Sequence, residues 1–592
     1  MGKKLEAFFE NRIWNKITCF LFPAVLVIFS LLHIGEGITV TDTGYNYGNF
    51  VYFNSLDDMW KFSTYLSSAI GAFFTNLPYG QTMVGLNFYT GLFKVIAVLA
   101  GYYFCIRVCK MKKEAVFLGE LIAVGLCWCP TALIYNYLTY LFFTVGAIFL
   151  YMAIVKEKSI YYVIAGIVLG LNVFVRLPNV AETALIAVVW LVGILYKSGF
   201  GKIVKDTLLC IAGYVIGLVS VFAYIALRYG PARYINGIKA LFAMTEEAES
   251  YTVKAMIVDM IRVYLEHFKW FACTVVVLFL GMILFEVFDK KFEKIKTAVY
   301  IVVVLFEIFL LKRAGMYDFD YRNYESMFAF GVLFLMFCLL LGAVLILFTK
   351  RKKEEKVLAA IVCVIIFITP LGSNNHLYSP INNLFLAAPF LVNYIWELLS
   401  DEKRSIMIGK IYFSIIPYKT VLVLFAGAIL IQSVLFGANF VFRDGLSGES
   451  RNYEIENNSV LKGMKTTEKN AVNLQELNDF LAQSGGIGKE AILFGNVPAL
   501  SFYYELEPAL SSTWPDLASF SYEKFEAELG ALKEDGRKPL VIISADPYEV
   551  GADENSGEIL QNKWQCLNDF LENYSYEQTF KNDAFVVYMV QK

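Results

Sequence analysis

"ITCFLFPAVLVIFSLLHIGEGITVTDTGYNYGNFVYF", residues 17–53, decides how this chain is read. Its first half is apolar for the length of a bilayer crossing, on the order of 20 residues. Its second half carries an isolated acid, Asp42, with tyrosines and Gly/Asn punctuation around it. The preceding stretch "MGKKLEAFFENRIWNK" is charged, and no small-residue cleavage site follows the apolar run. The start therefore reads as an uncleaved first span rather than a signal peptide. On local chemistry alone, "TDTG" is a good turn. Whether Asp42 only turns the chain or does chemistry depends on where the rest of the sequence puts it.

Outward from that stretch, the composition is that of a polytopic membrane protein. The chain has 592 residues, 57% hydrophobic and 18% charged. Soluble domains carry roughly 25% charge. The net charge of −2 and the lack of a basic stripe give no sign of a nucleic-acid partner. Apolar runs recur, and their spacing predicts about 13 spans. They fall near 17–35, 82–106, 115–134, 137–155, 159–175, 180–196, 207–227, 270–288, 297–311, 325–348, 357–371, 383–399 and 416–438.

The gaps between these runs alternate in charge. "RVCKMKKE", "VKEKS", "YKSGFGKIVKD", "DKKFEKIK", "TKRKKEEK" and "SDEKRSIMIGK" are lysine-rich; "CPTALIYN", "VRLPNV", "MYDFDYRN" and "LGSNNHLYSP" are not. Lysine and arginine mark cytoplasmic turns. With a cytoplasmic N-terminus the rule is met at every turn, and it puts the first outer loop (36–81) and the C-terminal tail outside the cytoplasm. The bilayer is thus one expected partner.

The tail differs in kind from the rest. The expected division is 1–439, a multi-span membrane domain, and 440–592, an extracytoplasmic α/β domain. From about 440 the pattern alternates helix and short buried strand, ending in a hairpin, which predicts a partly parallel sheet. "SGGIG" lies between a helix and a strand, which suits a helix cap and turn better than a phosphate cradle. The cysteines sit mostly in apolar runs, including Cys127 and Cys129 of "LCWCP", and read as small buried hydrophobes rather than metal ligands.

Polar groups gather on the expected outer face. Asp42, Asp57 and Asp58 lie in the first outer loop. Arg176 ends the fifth span, with Glu182 just inside the sixth. Asp318, Asp320 and Arg322 occupy "GMYDFDYRNYE"; Asn374, Asn375 and His376 occupy "SNNHLY"; Arg228 and Arg233 occupy "RYGPARY". Each has a plain reading as well. A helix-end arginine snorkels to headgroups, paired acids solvate a loop, and a histidine serves a structural hydrogen bond as readily as a ligand.

Taken together, the inside N-terminus, the many spans, an acid soon after the first span and an outer C-terminal domain resemble the GT-C membrane glycosyltransferases. That class includes protein O-mannosyltransferases, aminoarabinose transferases and oligosaccharyltransferase catalytic subunits. "VRLPNV", "PLGSNNHLYSPINNLFLAAP" and "LKGMKTTEKNAVNLQELNDFL" look like segments of Gram-positive members. The resemblance implies an α-helical polytopic fold and sugar transfer, with inversion, from a polyprenyl-phosphate donor to an extracytoplasmic glycan, lipid or protein.

It implies Asp42 as the catalytic base. In the family one or two carboxylates stand there, often adjacent; here the neighbour is Thr43. Substrate-binding roles fall to Arg176, Arg322, His376, Asn374, Asn375 and Tyr45, with Tyr47 beside it. No cofactor is required outright; a divalent metal is admitted, with Asp318 and Asp320 its candidate ligands. Two other classes compete: a transporter or flippase of lipid-linked glycans, and a glycan polymerase or ligase of another fold. A carrier is expected to show internal repeats and mid-membrane charges. The other ligase fold is expected to show a large central outer loop, whereas here the extramembrane mass is C-terminal. A non-catalytic assembly protein is a further alternative.

Overall fold

The computed structural model describes residues 12–127, 133–246, 253–287, 292–371, 375–401, 405–408, 411–446 and 448–590. Each of the 13 expected apolar segments contains helix among the described residues. Among those residues eight helical segments are long and apolar enough to cross a membrane, beginning with Ile13–Ser30 and ending with Ile416–Asn439. The other five are Lys113–Leu126, Ser159–Val173, Glu293–Arg313, Lys353–Ile368 and Ala387–Ser400. Four of these have 14 to 16 residues, and Glu293–Arg313 carries charges at both ends and Glu307 within. Only their length and charge separate them from the eight.

The two ends of the bundle are chemically distinct. At one end the lysine-rich turns are tied to each other: Glu157 pairs with Lys202 (3.4 Å) and Lys353 (2.8 Å), and Arg351 with Glu397 (3.0 Å). At the other end sits the C-terminal domain. One core cluster joins Ile38, Tyr47, Met83, Ile134 and Val175 to Leu461, Leu493 and Val587. Bundle and domain therefore share a continuous apolar interior.

The domain holds a five-stranded sheet. Its strands follow a membrane-side hairpin of β1 (Ser405–Ile408) and β2 (Ile411–Ser414). They are β3 (Glu490–Phe494), β4 (Glu507–Pro508), β5 (Leu540–Ser544), β6 (Tyr576–Lys581) and β7 (Phe585–Val590). The order is β4-β3-β5-β7-β6, with β3 parallel to β4 and β5, and β7 antiparallel to β5 and β6. The expected partly parallel sheet and final hairpin are both present. Gly485 of "SGGIG", in the left-handed region at φ 68°, caps the helix Glu468–Ser484 through the carbonyl of Leu481. Among the described residues Cys566 is the domain's cysteine, and it is unpaired.

The loop after the first span is more regular than turn chemistry predicts. Residues 35–40 run extended along the C-terminal domain. Gly37 N–H donates to Lys465 O (2.9 Å), Lys465 N–H to Gly35 O (2.9 Å), and Ala499 N–H to Val40 O (3.0 Å). The helix Asp42–Val51 follows, then Asp58–Ser63 and Tyr65–Phe74. Gly44 and Gly48, one helical turn apart, face the domain. A Cβ on Gly44 would lie 2.3 Å from Ala499 Cβ, and one on Gly48 2.6 Å from Ser501 Oγ. Only glycine admits this approach.

Candidate functional site

Asp42 is the first residue of its helix, where an acid complements the helix dipole. Its side chain is about one-third exposed, and the Arg443 guanidinium stands 3.6 Å away. Burial raises the carboxyl above its ordinary value, against the lowering pull of Arg443. The carboxylate is therefore accessible, paired to one cation, and more basic than a surface aspartate.

Beside it lies a small cavity of about 70 Å³, lined by His33, Glu36, Thr39, Thr43, Lys94 and Phe442, among others. Thr43 and Phe442 immediately follow Asp42 and precede Arg443 in the chain. Lys94 stands over the Tyr137 ring, 5.8 Å from its centre. His33 Nδ1 meets Glu36 Oε2 at 3.1 Å, and its Nε2 meets Gly437 O at 3.0 Å. That hydrogen bond, with Arg451 and Lys465 adding, holds the Glu36 carboxyl below the usual range.

The segment after the last span fixes Arg443. Asp444 is fully buried and accepts from Ile38 N–H (3.2 Å), Thr466 Oγ1 (2.7 Å) and Asn470 Nδ2 (2.8 Å). Arg451 adds Nε, 3.9 Å from Asp444 Oδ2, and donates to the Asp444 carbonyl at 2.9 Å. Arg322 docks on the same segment, its Nη1 donating to Leu446 O at 2.8 Å.

Of the expected site residues, Arg322 thus reaches the segment that carries Arg443. Tyr45 lies one turn along the Asp42 helix, its ring edge-on to Trp514 at 5.2 Å; burial pushes its hydroxyl up to about 12. Arg176 has its drawn contacts elsewhere, donating to Asn179 Oδ1 (3.4 Å) and covering the Tyr135 ring. His376 Nδ1 is 3.8 Å from Asp259 of the helix Val253–Val287. Asn375 caps the next turn through its carbonyl, which accepts from Tyr378 N–H. Asn374 lies outside the described residues. Tyr47 is fully buried and donates to Asn87 Oδ1.

Asp318 and Asp320 shape their own loop: Asp318 Oδ1 accepts from Asp320 N–H (2.8 Å), and Asp320 Oδ1 from Arg322 N–H (3.4 Å). Among the described residues no group of three or more His, Cys, Asp or Glu side chains is placed to hold a metal ion. The two acids do not fit a metal centre as they stand, so no step is assigned through one.

Arg443 was not singled out by the sequence reading. It stands directly after the last apolar run, in "NFVFRDGL", and a cation there is the ordinary mark of a span end. The pair Arg443–Asp444, one side chain facing Asp42 and the next buried, has no local sequence signal.

No family model matches the sequence, and no curated protein matches it. Solved structures do. The apo oligosaccharyltransferase of Archaeoglobus fulgidus is 13% identical over 93% of this chain and 73% of that one, with a TM-score of 0.47. Apo ArnT from Cupriavidus metallidurans is 11% identical over 98% of both chains, at 0.42. The same protein bound to undecaprenyl phosphate is 9% identical over 96% and 97%, at 0.35. At TM-scores below 0.5 the likeness carries no argument.

Proposed function

We propose that the chain is a membrane glycosyltransferase that moves a sugar from a polyprenyl-phosphate donor to an extracytoplasmic acceptor, with Asp42 as the base. The observation that carries the reading is the Asp42–Arg443 pair, whose chain neighbours Thr43 and Phe442 line a cavity that Lys94 also lines. A carboxylate about one-third exposed and of raised basicity is suited to proton abstraction. Two cations nearby are suited to a leaving phosphate.

In this mechanism the acceptor hydroxyl gives its proton to Asp42 Oδ while its oxygen attacks the anomeric carbon. The bond from that carbon to the phosphate oxygen breaks, and configuration inverts. The departing polyprenyl phosphate keeps the electron pair and is met by Arg443 and Lys94. A phosphate leaves without protonation, so one carboxylate suffices. The polyprenyl chain lies among the spans, and the C-terminal domain shapes acceptor access. Arg322 steadies the Arg443 segment, and Tyr45 offers a hydroxyl and ring edge to the sugar. Arg176, His376 and Asn375 belong to the outer rim in this scheme.

The test uses the full chain in lipid nanodiscs with short-chain polyprenyl-phosphate hexoses and pentoses, reading release of polyprenyl phosphate. Turnover of at least one donor that disappears in Asp42→Asn supports the reading. No turnover of any donor, or undiminished turnover in Asp42→Asn, sinks it.

A further inference from the structure

The loop helices and the span Phe200–Tyr229 enclose a second space that the Asp42 site does not use. It is a groove of about 820 Å³. Phe50 and Val51, at the far end of the Asp42 helix, form one wall, and Tyr224, Arg228 and Tyr229 the other. Nine residues of helix separate Asp42 from Val51, roughly 13 Å at 1.5 Å per residue. The groove is thus a neighbour of the proposed catalytic carboxylate but not the same pocket.

Its chemistry is mixed in a specific way. Aromatic side chains come from Phe53, Tyr65 and Phe73, and amide side chains from Asn54, Asn76 and Gln81. Asn76 and Gln81 each use one N–H on the carbonyls of Ala72 and Thr75, both at 2.8 Å. Their amide oxygens accept and their second N–H groups donate, a pairing suited to hydroxyl groups.

The cations of "RYGPARY" divide the remaining work. Arg233 is committed: it grips Asp58 through Nε (2.9 Å) and Nη2 (2.6 Å). Lys61 donates to Asn54 O (3.1 Å) beneath the groove. Arg228 is exposed, donates to the Tyr224 hydroxyl (3.1 Å), lies over the Tyr229 ring at 5.4 Å, and has no acid within 4 Å among the described residues. A guanidinium with spare donors at the edge of an aromatic, acceptor-lined groove selects an anion.

We infer that this groove is a subsite for an anionic glycan, with rings against sugar faces, amide oxygens accepting sugar hydroxyls, and Arg228 binding a carboxylate or phosphate substituent. Its role as an acceptor subsite, holding sugars beyond the one that reacts, rests on the transferase reading. The binding itself does not.

The experiment is equilibrium binding to the full chain in nanodiscs. Three probes are compared: a hexuronate tetrasaccharide, a phosphorylated maltotetraose and plain maltotetraose. At least one anionic probe is expected to bind about tenfold tighter than the neutral one, the size of one charge-assisted contact. The two anionic arms tell carboxylate from phosphate. Arg228→Gln should erase that preference, and Asn76→Ala with Gln81→Ala should weaken all three probes together. Equal binding of charged and neutral probes, no binding of any, or an unchanged preference in Arg228→Gln overturns the inference. So does photocrosslinking of a polyprenyl phosphate, rather than a glycan, from a benzophenone at position 73, which would make the groove a lipid site. Donor turnover in wild type and in Asp42→Asn is read separately, so failure of glycan binding and failure of the transferase reading are distinct results.

Discussion

Asp42 and Asp444 are both aspartates beside arginines, on segments that touch each other, and they are opposites. Asp444 is fully buried and saturated, with three neutral donors and Arg451 around it. Asp42 is partly exposed, with one guanidinium at 3.6 Å. A saturated carboxylate holds a structure together, because its bonds are already made. An unsaturated one can accept a proton from something that arrives. The contrast separates scaffold from candidate chemistry more sharply than residue type does, and it can be broken at either member.

The largest effect is expected at Asp42. Asp42→Asn should cut transfer by about 10²- to 10⁴-fold, the usual contribution of a positioned base, with unfolding unchanged. If the two aspartates share one role, thermal stability will fall instead.

Asp444→Ala should do the reverse. It strands the Ile38 N–H, Thr466, Asn470 and a buried arginine, and breaking a buried ion pair costs about 3–5 kcal/mol. Limited proteolysis near residues 439–451 should accelerate, and a variant as stable as the parent would refute the scaffold assignment.

Arg443→Gln tests the pairing between them. Asp42 works as a base only when ionised, so activity rises with pH through its pKa. Burial already raises that pKa and Arg443 lowers it. Loss of the cation should therefore move the acid limb of kcat/KM to higher pH, with a fall in rate of about tenfold or more from the phosphate contact. A limb that moves down, or stays, contradicts the geometry.

The helix carrying Asp42 gives the next smaller effect. Gly44→Val puts a Cβ 2.3 Å from that of Ala499, and overpacking of this kind costs about 1–3 kcal/mol. Gly530→Ala is the control: nothing lies within 4 Å of the new Cβ, and the helix should gain about 0.5–1 kcal/mol.

How much of this could be read beforehand follows from what each feature depends on. The apolar segments are local, and each contains helix among the described residues. The α/β tail was legible for the same reason: strand and helix periods are written within each segment. Charge alternation named the lysine turns, and those turns are tied together in space through Glu157. Asp42 was legible as an acid following the first span. Its helix was not, because "TDTGYNYGN" has the composition of a turn, and the glycines that look like breakers are there for close approach to Ala499 and Ser501. Arg443 depends on a contact 401 residues distant in sequence, and no local pattern encodes that. Arg176 and His376 share a face with Asp42 in the sequence reading, yet their drawn partners are Asn179 and Asp259. Sharing a face is a weaker condition than sharing a site.

The extended segment 35–40 carries a consequence for timing. Its carbonyl at Thr39 receives the Tyr503 hydroxyl across 464 residues of chain. At synthesis rates of about 5–20 residues per second, roughly 20 to 90 seconds pass between the two residues leaving the ribosome. During that interval the loop bearing Asp42 can meet its bundle partners, Asn87 among them, but none of those that the C-terminal domain supplies. The carboxylate comes last into register, when the final domain closes over its entrance, so a truncated or half-made chain carries the acid without the site.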